Sequence, residues 1–392
     1  MNNGTDTDLE RVYVMVEPPE DWLTRPLKVA ADGNAVMLKA VQEQKTQPHG
    51  AGKTVISELA ALYRNLGRQV ALFESSKAAQ RVTGRLMGHA DPDDVFTVDY
   101  CTGHRLASHE HLQSMEGELV RPDGGNYVNL VNRLSVPTRW LEPFVMQIIF
   151  NRLKVKNVLT QPEDTLLEGG DLAFLSAGDA PRTILLTGDG QNSRSNAKGR
   201  NWLYNLLRPT YRVDVVSKEF HRDLVSVFVQ GTRGELVQAL LAFDCIQNAE
   251  EVAHILRTLN VDIVDVPADA VKRCAVNLSV SPGLVIGMQS HEELHRILTS
   301  GLPKGVTYYA LPDHLQSLTA GFIDMQGGAN CVSGNILARP GELDLSAENI
   351  AGMNAYLHGR DCEAYLDDVA KKLHLKEALE QAAARQRASI IL

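Results

Sequence analysis

Several features are scarce in this 392-residue sequence, and each scarcity argues against a class of protein. The five cysteines are odd in number and not closely paired, so we expect free thiols in a reducing compartment and no disulfide framework. Basic residues are in the minority, with 39 Lys+Arg against 48 Asp+Glu and a net charge of −9, which argues against a nucleic-acid partner. No uninterrupted apolar run reaches ~18 residues, so neither a transmembrane helix nor a membrane partner is expected.

The beginning of the sequence also lacks the marks of a signal peptide. Residues 1–8 hold neither a basic nor an apolar segment, so we expect no cleaved leader, and residues 1–10 are polar enough to be frayed. Together with the free thiols, this predicts a cytoplasmic protein. A hydrophobic content of 44% is ordinary for a globular chain, so a core that can enclose a solvent-excluded site is expected.

A recurring pattern is present instead: an apolar helix followed by a short apolar strand. Helical spacing of apolar residues precedes a strand-like run in five places: 55–66 before 69–73, 144–153 before 155–159, 202–207 before 211–216, 249–259 before 261–266, and 291–298 before 306–309. A further strand is predicted at 12–16. Five such units favour a pseudo-symmetric α/β propeller, or alternatively a doubly wound sheet. The units share no sequence identity that decides between the two.

Three short segments carry residue types that act together in covalent catalysis. Cys331, at the end of a Gly-Gly-Ala-Asn-Cys run, supplies a nucleophile, and His221 supplies a base. The run 168–171, Glu-Gly-Gly-Asp, supplies a carboxylate that can orient the base. Taken singly, these segments have ordinary interpretations as a small buried thiol, a surface histidine and a turn. Their joint occurrence, in the order carboxylate, histidine, cysteine, is more specific.

The order of these segments resembles the guanidino-group-modifying enzymes, which include arginine deiminases, dimethylarginine dimethylaminohydrolases and amidinotransferases. That superfamily carries a Glu-Gly-Gly-Asp run, a His-x-Asp run and a late Gly-Gly-x-x-Cys run. Three more segments of this chain, 94–99, 138–142 and 193–199, are similar to further superfamily motifs. The resemblance covers roughly residues 55–340 and implies the pentein fold, a five-bladed α/β propeller.

The resemblance implies a role for each matching catalytic residue. Cys331 would attack the guanidino carbon, while His221 would act first as general acid and then as general base. Glu168 would orient the imidazole and favour its protonated form. Asp99 and Asp223 would hold the planar guanidinium through charge-assisted hydrogen bonds.

The remaining matches concern the rest of the substrate. Arg139 and Arg194 would bind a substrate α-carboxylate, and Asp171 would contact the substrate amine or hold its loop; we favour the loop. The implied substrate is a small guanidino compound, arginine or an arginine-like amino acid. Hydrolysis and amidine transfer, the reaction of arginine amidinotransferases, share the first half-reaction, so both remain open. The resemblance implies no cofactor and no metal.

Two segments depart from the superfamily pattern. Residues 100–124 are predicted to be an insertion that could form a lid, and they contain Asp123, a rival to Asp99 as the guanidinium-binding acid. The catalytic domain is predicted at 11–344, and residues 345–392 extend beyond it. Apolar residues of that extension predict amphipathic helix, suited to accessory or homo-oligomer contacts: Leu366, Val369, Leu373 and Leu375.

Two alternatives belong to other functional classes. The run 291–295, His-Glu-Glu-Leu-His, fits the zinc-peptidase pattern His-Glu-x-x-His. The next glutamate after His295 is Glu342, however, so a third ligand at close range is missing, and an exposed helix is the favoured interpretation. A non-catalytic relative used for binding or assembly is the other alternative, should the insertion disrupt Asp99.

Overall fold

The structure is a computed structural model that describes residues 9–18, 51–87, 101–105, 127–177, 182–190, 193–219, 221–287, 289, 291–312, 315 and 329–390. Its strands are β1 Glu10–Glu17, β2 Gln69–Glu74, β3 Cys101–Arg105, β4 Tyr127–Val131, β5 Val158–Thr160, β6 Leu172–Ala177, β7 Arg182–Asp189, β8 Tyr211–Val216, β9 Ser226–Gln230, β10 Glu235–Leu241, β11 Asp262–Asp265, β12 Ser279–Ser281, β13 Leu284–Gly287, β14 Thr307–Ala310 and β15 Gly334–Ala338. Its α-helices are α1 Ala51–Asn65, α2 Lys77–Met87, α3 Glu142–Leu153, α4 Ala197–Leu207, α5 Ala249–Thr258, α6 Ala268–Lys272, α7 Glu292–Ser300, α8 Ala347–His358, α9 Arg360–Lys372 and α10 Leu375–Ile390.

The strands form five units of one design. In each, a first strand pairs antiparallel with a middle strand, and the middle strand pairs parallel with a last strand, in the order β15-β1-β2, β3-β4-β5, β6-β7-β8, β9-β10-β11 and β12-β13-β14. A helix crosses from middle to last strand in every unit, since parallel neighbours need a crossover connection. The crossover helices are α1, α3, α4, α5 and α7.

These crossovers are the helix–strand pairs predicted from the sequence, and all five are confirmed. The doubly wound alternative is wrong for the described part of the chain, because its strands divide into three three-stranded sheets and one sheet of six. The six-stranded sheet arises where β6 and β10 of neighbouring units pair in parallel over a short stretch. The architecture is therefore mixed α/β, built from a repeated three-stranded unit.

Local chemistry explains where these elements lie and end. β1 is buried along residues 12–16 because it is the middle strand between β15 and β2, a position that suits β-branched and aromatic side chains. Asn196 is the N-cap of α4, and its side chain accepts the backbone N–H of Gly199 at 2.7 Å. Its C-cap is Arg208, which has a left-handed backbone with φ of 43°.

The first strands position the candidate site. The segment 168–171 precedes β6, His221 and Asp223 precede β9, and Cys331 precedes β15. The sequence-distant motifs therefore occupy equivalent places in different units, at the start of a first strand. This placement is how one fold brings together residues that are more than 160 positions apart.

The predicted insertion 100–124 needs a correction at its beginning. Residues 101–105 are not inserted, because they form β3, the first strand of the second unit, and pair antiparallel with β4. The rest of that segment, 106–124, lies outside the described residues, so a lid there stays a prediction.

The C-terminal extension forms three helices, α8 to α10, that pack on the chain itself. Leu366 and Leu375 are fully buried, and both share a hydrophobic cluster with β1, α2 and α3. Val369 and Leu373 contact the same cluster, so the predicted apolar face is used inside the chain and does not form an exposed docking surface. Across α9 and α2, Arg85 pairs with both Glu363 and Asp367. Within the described residues, no helix has the length and apolar character needed to cross a membrane.

Candidate active site

Glu168 and His221 form a buried acid–base pair. Glu168 Oε2 lies 2.8 Å from His221 Nε2, and both side chains are buried. Both residues are extended, and each directly precedes a short 3₁₀ turn, at 169–171 and 222–224. The contact has the geometry in which a carboxylate orients an imidazole.

Glu168 is surrounded by groups that favour its ionised form. Its Oε1 accepts the backbone N–H of Ser135 at 3.0 Å and the Ser135 hydroxyl at 2.9 Å. Arg194 Nη1 lies 3.6 Å from Oε2. Burial opposes ionisation, but Arg194, the His221 hydrogen bond and nearby Arg139 outweigh it and hold the pKa of Glu168 well below its ordinary range. Glu168 is therefore a carboxylate at neutral pH.

Gly170 is required by close packing at this pair. A Cβ atom added to Gly170 would lie 2.7 Å from His221 Nδ1 and 3.1 Å from Asp223 Oδ1. Distances this short between a Cβ and ring or carboxylate atoms are repulsive, so any larger residue would displace the histidine. The same measurement shows that Nδ1 of the histidine and Oδ1 of the aspartate both lie beside Gly170.

Asp171 connects two loops of the site. Its Oδ1 accepts the backbone N–H of Arg222 at 3.1 Å, and its Oδ2 accepts the Ser193 hydroxyl at 3.3 Å. The side chain is 1% exposed, and burial raises the pKa of Asp171 above its ordinary value. These are the contacts of a residue that holds the 221–224 turn and the 193–196 loop.

Cys331 is connected to Asp223 through two asparagines. Asp223 Oδ2 accepts hydrogen bonds from Asn277 Nδ2 at 2.9 Å and from Asn330 Nδ2 at 2.8 Å. Asn277 Oδ1 in turn accepts the backbone N–H of Cys331 at 3.2 Å. Cys331 is 5% exposed and belongs to a hydrophobic cluster that includes residues of α1, β1 and β13. The structure thus joins the predicted nucleophile to the predicted guanidinium-binding acid.

The two predicted carboxylate-binding arginines lie on the Glu168 side of the site. Arg139 is fully buried, and Glu142 engages its guanidinium, with Nε 2.9 Å from Oε1 and Nη2 2.8 Å from Oε2. Arg194 is 13% exposed and contacts Glu168. The substrate role of both arginines stays a prediction.

The loop that carries Arg194 is fixed at both ends. Asn196 accepts the backbone N–H of Leu166 at 3.2 Å and returns a backbone N–H to the Leu166 carbonyl at 2.9 Å. Arg200 donates to the Ser195 carbonyl at 3.1 Å and pairs with Asp189 at 2.9 Å. Because the Ser195 hydroxyl also accepts the backbone N–H of Glu168, this loop and the acid–base pair form one connected structure.

A cavity of about 120 Å³ extends from the site between the first strands. Its lining includes Asp223 and Asn330 at the site, and Phe174, Phe228, Val280 and Asn335 from β6, β9, β12 and β15. The predicted acid Asp223 therefore borders a cavity as well as the nucleophile loop.

Asp99 and Asp123 both lie outside the described residues, as do Gly327 and Gly328 of the cysteine run. The choice between the two aspartates stays a prediction.

The His-Glu-Glu-Leu-His run has a structural role. His291 is the N-cap of α7, with Nδ1 accepting the backbone N–H of Leu294 at 3.3 Å and Nε2 lying 3.0 Å from Asp269 Oδ2. Both ring nitrogens are therefore engaged, and His295 packs edge-on against Tyr308. No group of three or more metal-binding side chains occurs among the described residues. The zinc-peptidase alternative finds no support in this geometry.

Sequence reasoning did not identify Ser135 or Asn277. Ser135 holds Glu168, and Asn277 lies between Asp223 and Cys331. Neither residue belongs to a motif with a characteristic spacing, so the sequence offers no signal for them. Asn330, by contrast, is adjacent to the predicted nucleophile and could have been singled out for that reason.

Comparison with known proteins identifies the fold. No protein-family model and no curated protein sequence matches this chain. Among solved structures, it is similar to the N-terminal domain of ArgZ, an arginine dihydrolase of the ornithine–ammonia cycle in Cyanobacteria, with a TM-score of 0.55 and 16% identity, over 83% of this chain and 97% of that domain. It is also similar to AgrE in complex with ornithine and NAD⁺, with a TM-score of 0.55 and 16% identity, over 84% of this chain and 40% of AgrE.

The lengths of these proteins differ. This chain spans about 40% of AgrE and of full-length ArgZ, but nearly all of the ArgZ N-terminal domain. The likeness concerns the fold: this chain shares the mixed α/β fold of the ArgZ and AgrE structures, as the resemblance drawn from the short motifs predicts.

Proposed function

We propose that this chain is a cysteine-dependent hydrolase that acts on the guanidino carbon of arginine or an arginine-like amino acid. One observation carries the proposal: the chain of contacts that joins a buried Glu168–His221 pair, the acid Asp223 and the nucleophile loop of Cys331. The similar ArgZ domain belongs to an arginine dihydrolase, and a variant of that domain with one Asn-to-Ser substitution is known covalently bound to a reaction intermediate. A shared fold with low identity supports the proposal without deciding it.

The chemistry requires each of these groups. Guanidinium is a resonance-stabilised cation and a poor electrophile, so attack at its carbon needs a thiolate. The sulfur of Cys331 forms a bond to that carbon, and a proton from His221 allows the tetrahedral adduct to expel ammonia. A thiouronium-type intermediate remains. Water, losing its proton to His221, then attacks the same carbon, and the C–S bond breaks to release the product and the thiolate.

The orientation of the His221 ring indicates which of its two nitrogens transfers the proton. Because Nε2 contacts Glu168, we assign proton transfer to Nδ1, the ring nitrogen that lies beside Gly170. Glu168, ionised at neutral pH, would fix the ring and stabilise the imidazolium. It transfers no proton itself.

Two carboxylates would hold the guanidinium, Asp223 and Asp99. Each described acid of the site stands shortly before the first strand of its unit: Glu168 before β6 and Asp223 before β9. Asp99 comes two positions before β3 in the sequence, whereas Asp123 comes between β3 and β4. This repetition favours Asp99 over Asp123 as the second acid.

The same proposal extends to the closure of the five units, to the residues that bind the rest of the substrate and to the cellular location. We infer that the five three-stranded units close into a five-bladed propeller, with the first strands around its axis. Arg194 and Arg139 would bind the substrate α-carboxylate, and Asp171 would hold its loop. The cytoplasmic location rests on the free thiols, and a homo-oligomer, if formed, would need surfaces other than the buried face of the C-terminal helices.

The products of arginine test the proposal. We expect the full chain, incubated with arginine, to yield citrulline and ammonia, or ornithine, carbon dioxide and two ammonia molecules where both terminal nitrogens are hydrolysed. The yield should be the same with and without added glycine. Agmatine, which lacks the carboxylate, should show a higher KM. Ornithine together with guanidinoacetate, formed only with glycine, would indicate amidine transfer instead. A chain that converts neither arginine nor a methylated arginine would contradict the proposal.

A matched cysteine variant provides the control for this assay. Cys274 is also buried and lies near Asp223, whose charge, after burial itself, helps to raise the pKa of the Cys274 thiol to about 12. Its sulfur is therefore a protonated thiol at neutral pH. Cys274→Ala should keep the product yield, and Cys331→Ala should lose it.

A further inference from the structure

Asn277 occupies a position between two parts of the site that come from distant segments. It lies 54 residues from both Asp223 and Cys331 in the sequence, and its side chain is 2% exposed. The side-chain amide donates to Asp223 Oδ2 at 2.9 Å and accepts the Cys331 backbone N–H at 3.2 Å. One short side chain thus contacts the proposed guanidinium-binding acid and the backbone of the proposed nucleophile.

The chemistry of the two neighbours fixes the orientation of this amide. A carboxylate accepts hydrogen bonds only, and a backbone N–H donates only. The amide nitrogen must therefore face Asp223 and the amide oxygen must face Cys331. No other side chain of this size places a donor and an acceptor on the same carbon. Aspartate at this position would place a second carboxylate beside that of Asp223.

Asn277 is itself anchored to a third part of the fold. Its backbone N–H donates to the Cys274 carbonyl at 3.1 Å, and β12 begins two residues later. Asn330, the second amide on Asp223, is adjacent to Cys331 and belongs to the loop that must be positioned. Of the two amides, only that of Asn277 lies outside the cysteine loop. It connects that loop and Asp223 to the segment that leads into β12.

We propose that Asn277 is a positioning residue that sets the separation between the Asp223 carboxylate and the Cys331 sulfur. The inference rests on the proposed function, since it assigns the two groups a common substrate. A planar guanidinium held by Asp223 presents its carbon to Cys331 only if that separation is right. A displacement of about 1 Å can cost roughly a hundredfold in rate, so Asn277→Ala should lower kcat by about tenfold to a hundredfold.

Asn129 provides a matched control from another unit. It is fully buried and also bridges two segments, donating to the carbonyls of Lys156 and Leu337 and accepting the Leu337 backbone N–H at 2.8 Å. Within the described part of the chain, none of these hydrogen bonds involves a site residue. Asn129→Ala should lower the unfolding midpoint as Asn277→Ala does, because each removes a buried bridging amide, yet it should leave kcat unchanged.

Two alkylating probes of the same size test the positioning even if the natural substrate is not arginine. In each, the Cys331 sulfur displaces chloride: 2-chloroacetamidine is a cation and 2-chloroacetamide is neutral. If Asp223 is held beside Cys331, the wild-type chain should react faster with the cation, and the ratio of the two rates should fall at least about tenfold in Asn277→Ala. Asn129→Ala should keep the wild-type ratio.

The pH dependence of Asn277→Asp gives a readout that a structural role would not move. Two adjacent carboxylates share a proton more readily as the pH falls, and the protonated side chain again donates to Asp223. The alkylation ratio of this variant should therefore recover towards the wild-type value on acidification. An Asn277→Ala chain with a wild-type ratio and only a lower unfolding midpoint would overturn the inference. A wild-type chain that converts no guanidino compound but keeps the ratio would overturn the proposed function alone.

Discussion

The two halves of the candidate site are held together by different kinds of bond. The base half is a buried pair in which the Glu168 carboxylate contacts the His221 imidazole, supported by Arg194 and by two hydrogen bonds from Ser135. In the nucleophile half, neutral amides of Asn277 and Asn330 join the Cys331 loop to Asp223. The pKa of Glu168 is held below its ordinary range, whereas the amides themselves do not titrate, so we expect acidification to act on the base half through Glu168.

Of the substitutions in the two halves, replacement of His221 is expected to lower kcat the most. His221→Asn removes the group that protonates the leaving ammonia and activates water, so kcat should fall at least about a hundredfold. Steady-state rates with arginine measure this, and His254→Asn, on the exposed side of α5, is the matched control. A variant with near-normal turnover would mean that the base half is structural.

Glu168→Gln should have a smaller effect on rate and a distinct effect on stability. We expect a loss of about tenfold in kcat, the scale for a group that orients another. The folded-state pKa of Glu168 lies below its ordinary value of 4.5. Its carboxylate therefore stabilises the fold fully above that pH, and this contribution is lost as the pH falls through the folded-state pKa.

Urea unfolding at several pH values separates the two halves of the site. Glutamine does not titrate, so Glu168→Gln should lose less unfolding free energy than the wild-type chain on acidification below about pH 4.5. Asn277→Ala, from the amide half, keeps Glu168 and should therefore retain the loss of unfolding free energy that this carboxylate gives the wild-type chain on acidification. Parallel curves for Glu168→Gln and the wild-type chain would remove the distinction between the halves.

Asp171→Asn is expected to have the smallest effect. The amide oxygen can still accept the Arg222 backbone N–H, and burial, which raises the pKa of Asp171, disfavours the ionised carboxylate. The protonated carboxyl contributes stability below the ordinary pKa of 3.8, and that contribution is lost as the pH rises. Rates with arginine should stay within about threefold, and the unfolding free energy at neutral pH should not fall. A large rise in KM would instead assign Asp171 to the substrate amine.

The sequence predicted the crossovers of this fold better than its first strands. Runs such as 249–259 and 261–266 were readable because helical spacing changes abruptly to a short apolar strand. First strands such as β12, with three residues, are too short to show a period of their own. The extension was predicted as helical, but its division into α8, α9 and α10 depends on packing against α2 and α3.

Residues of the candidate site could be predicted only where they belong to a recognisable sequence motif. Glu168, His221, Asp223 and Cys331 belong to runs with recognisable residue types and order, and the structure joins them through short contacts. Asn277 bridges two segments that are distant in sequence. Because these contacts form only in the folded chain, no sequence motif marks the residue. The same reason explains why the histidines of the His-Glu-Glu-Leu-His run were open to a zinc interpretation until the N-cap contact of His291 was seen.

The central claim is that the sulfur of Cys331 bonds to the guanidino carbon of the substrate. Acid quenching during turnover with arginine, followed by intact mass and peptide mapping, tests it directly. The account predicts a protein adduct with the mass of arginine less ammonia, located on Cys331, absent from Cys331→Ser and retained in Cys274→Ala. Turnover of arginine without any adduct, or turnover that persists in Cys331→Ser, would contradict it.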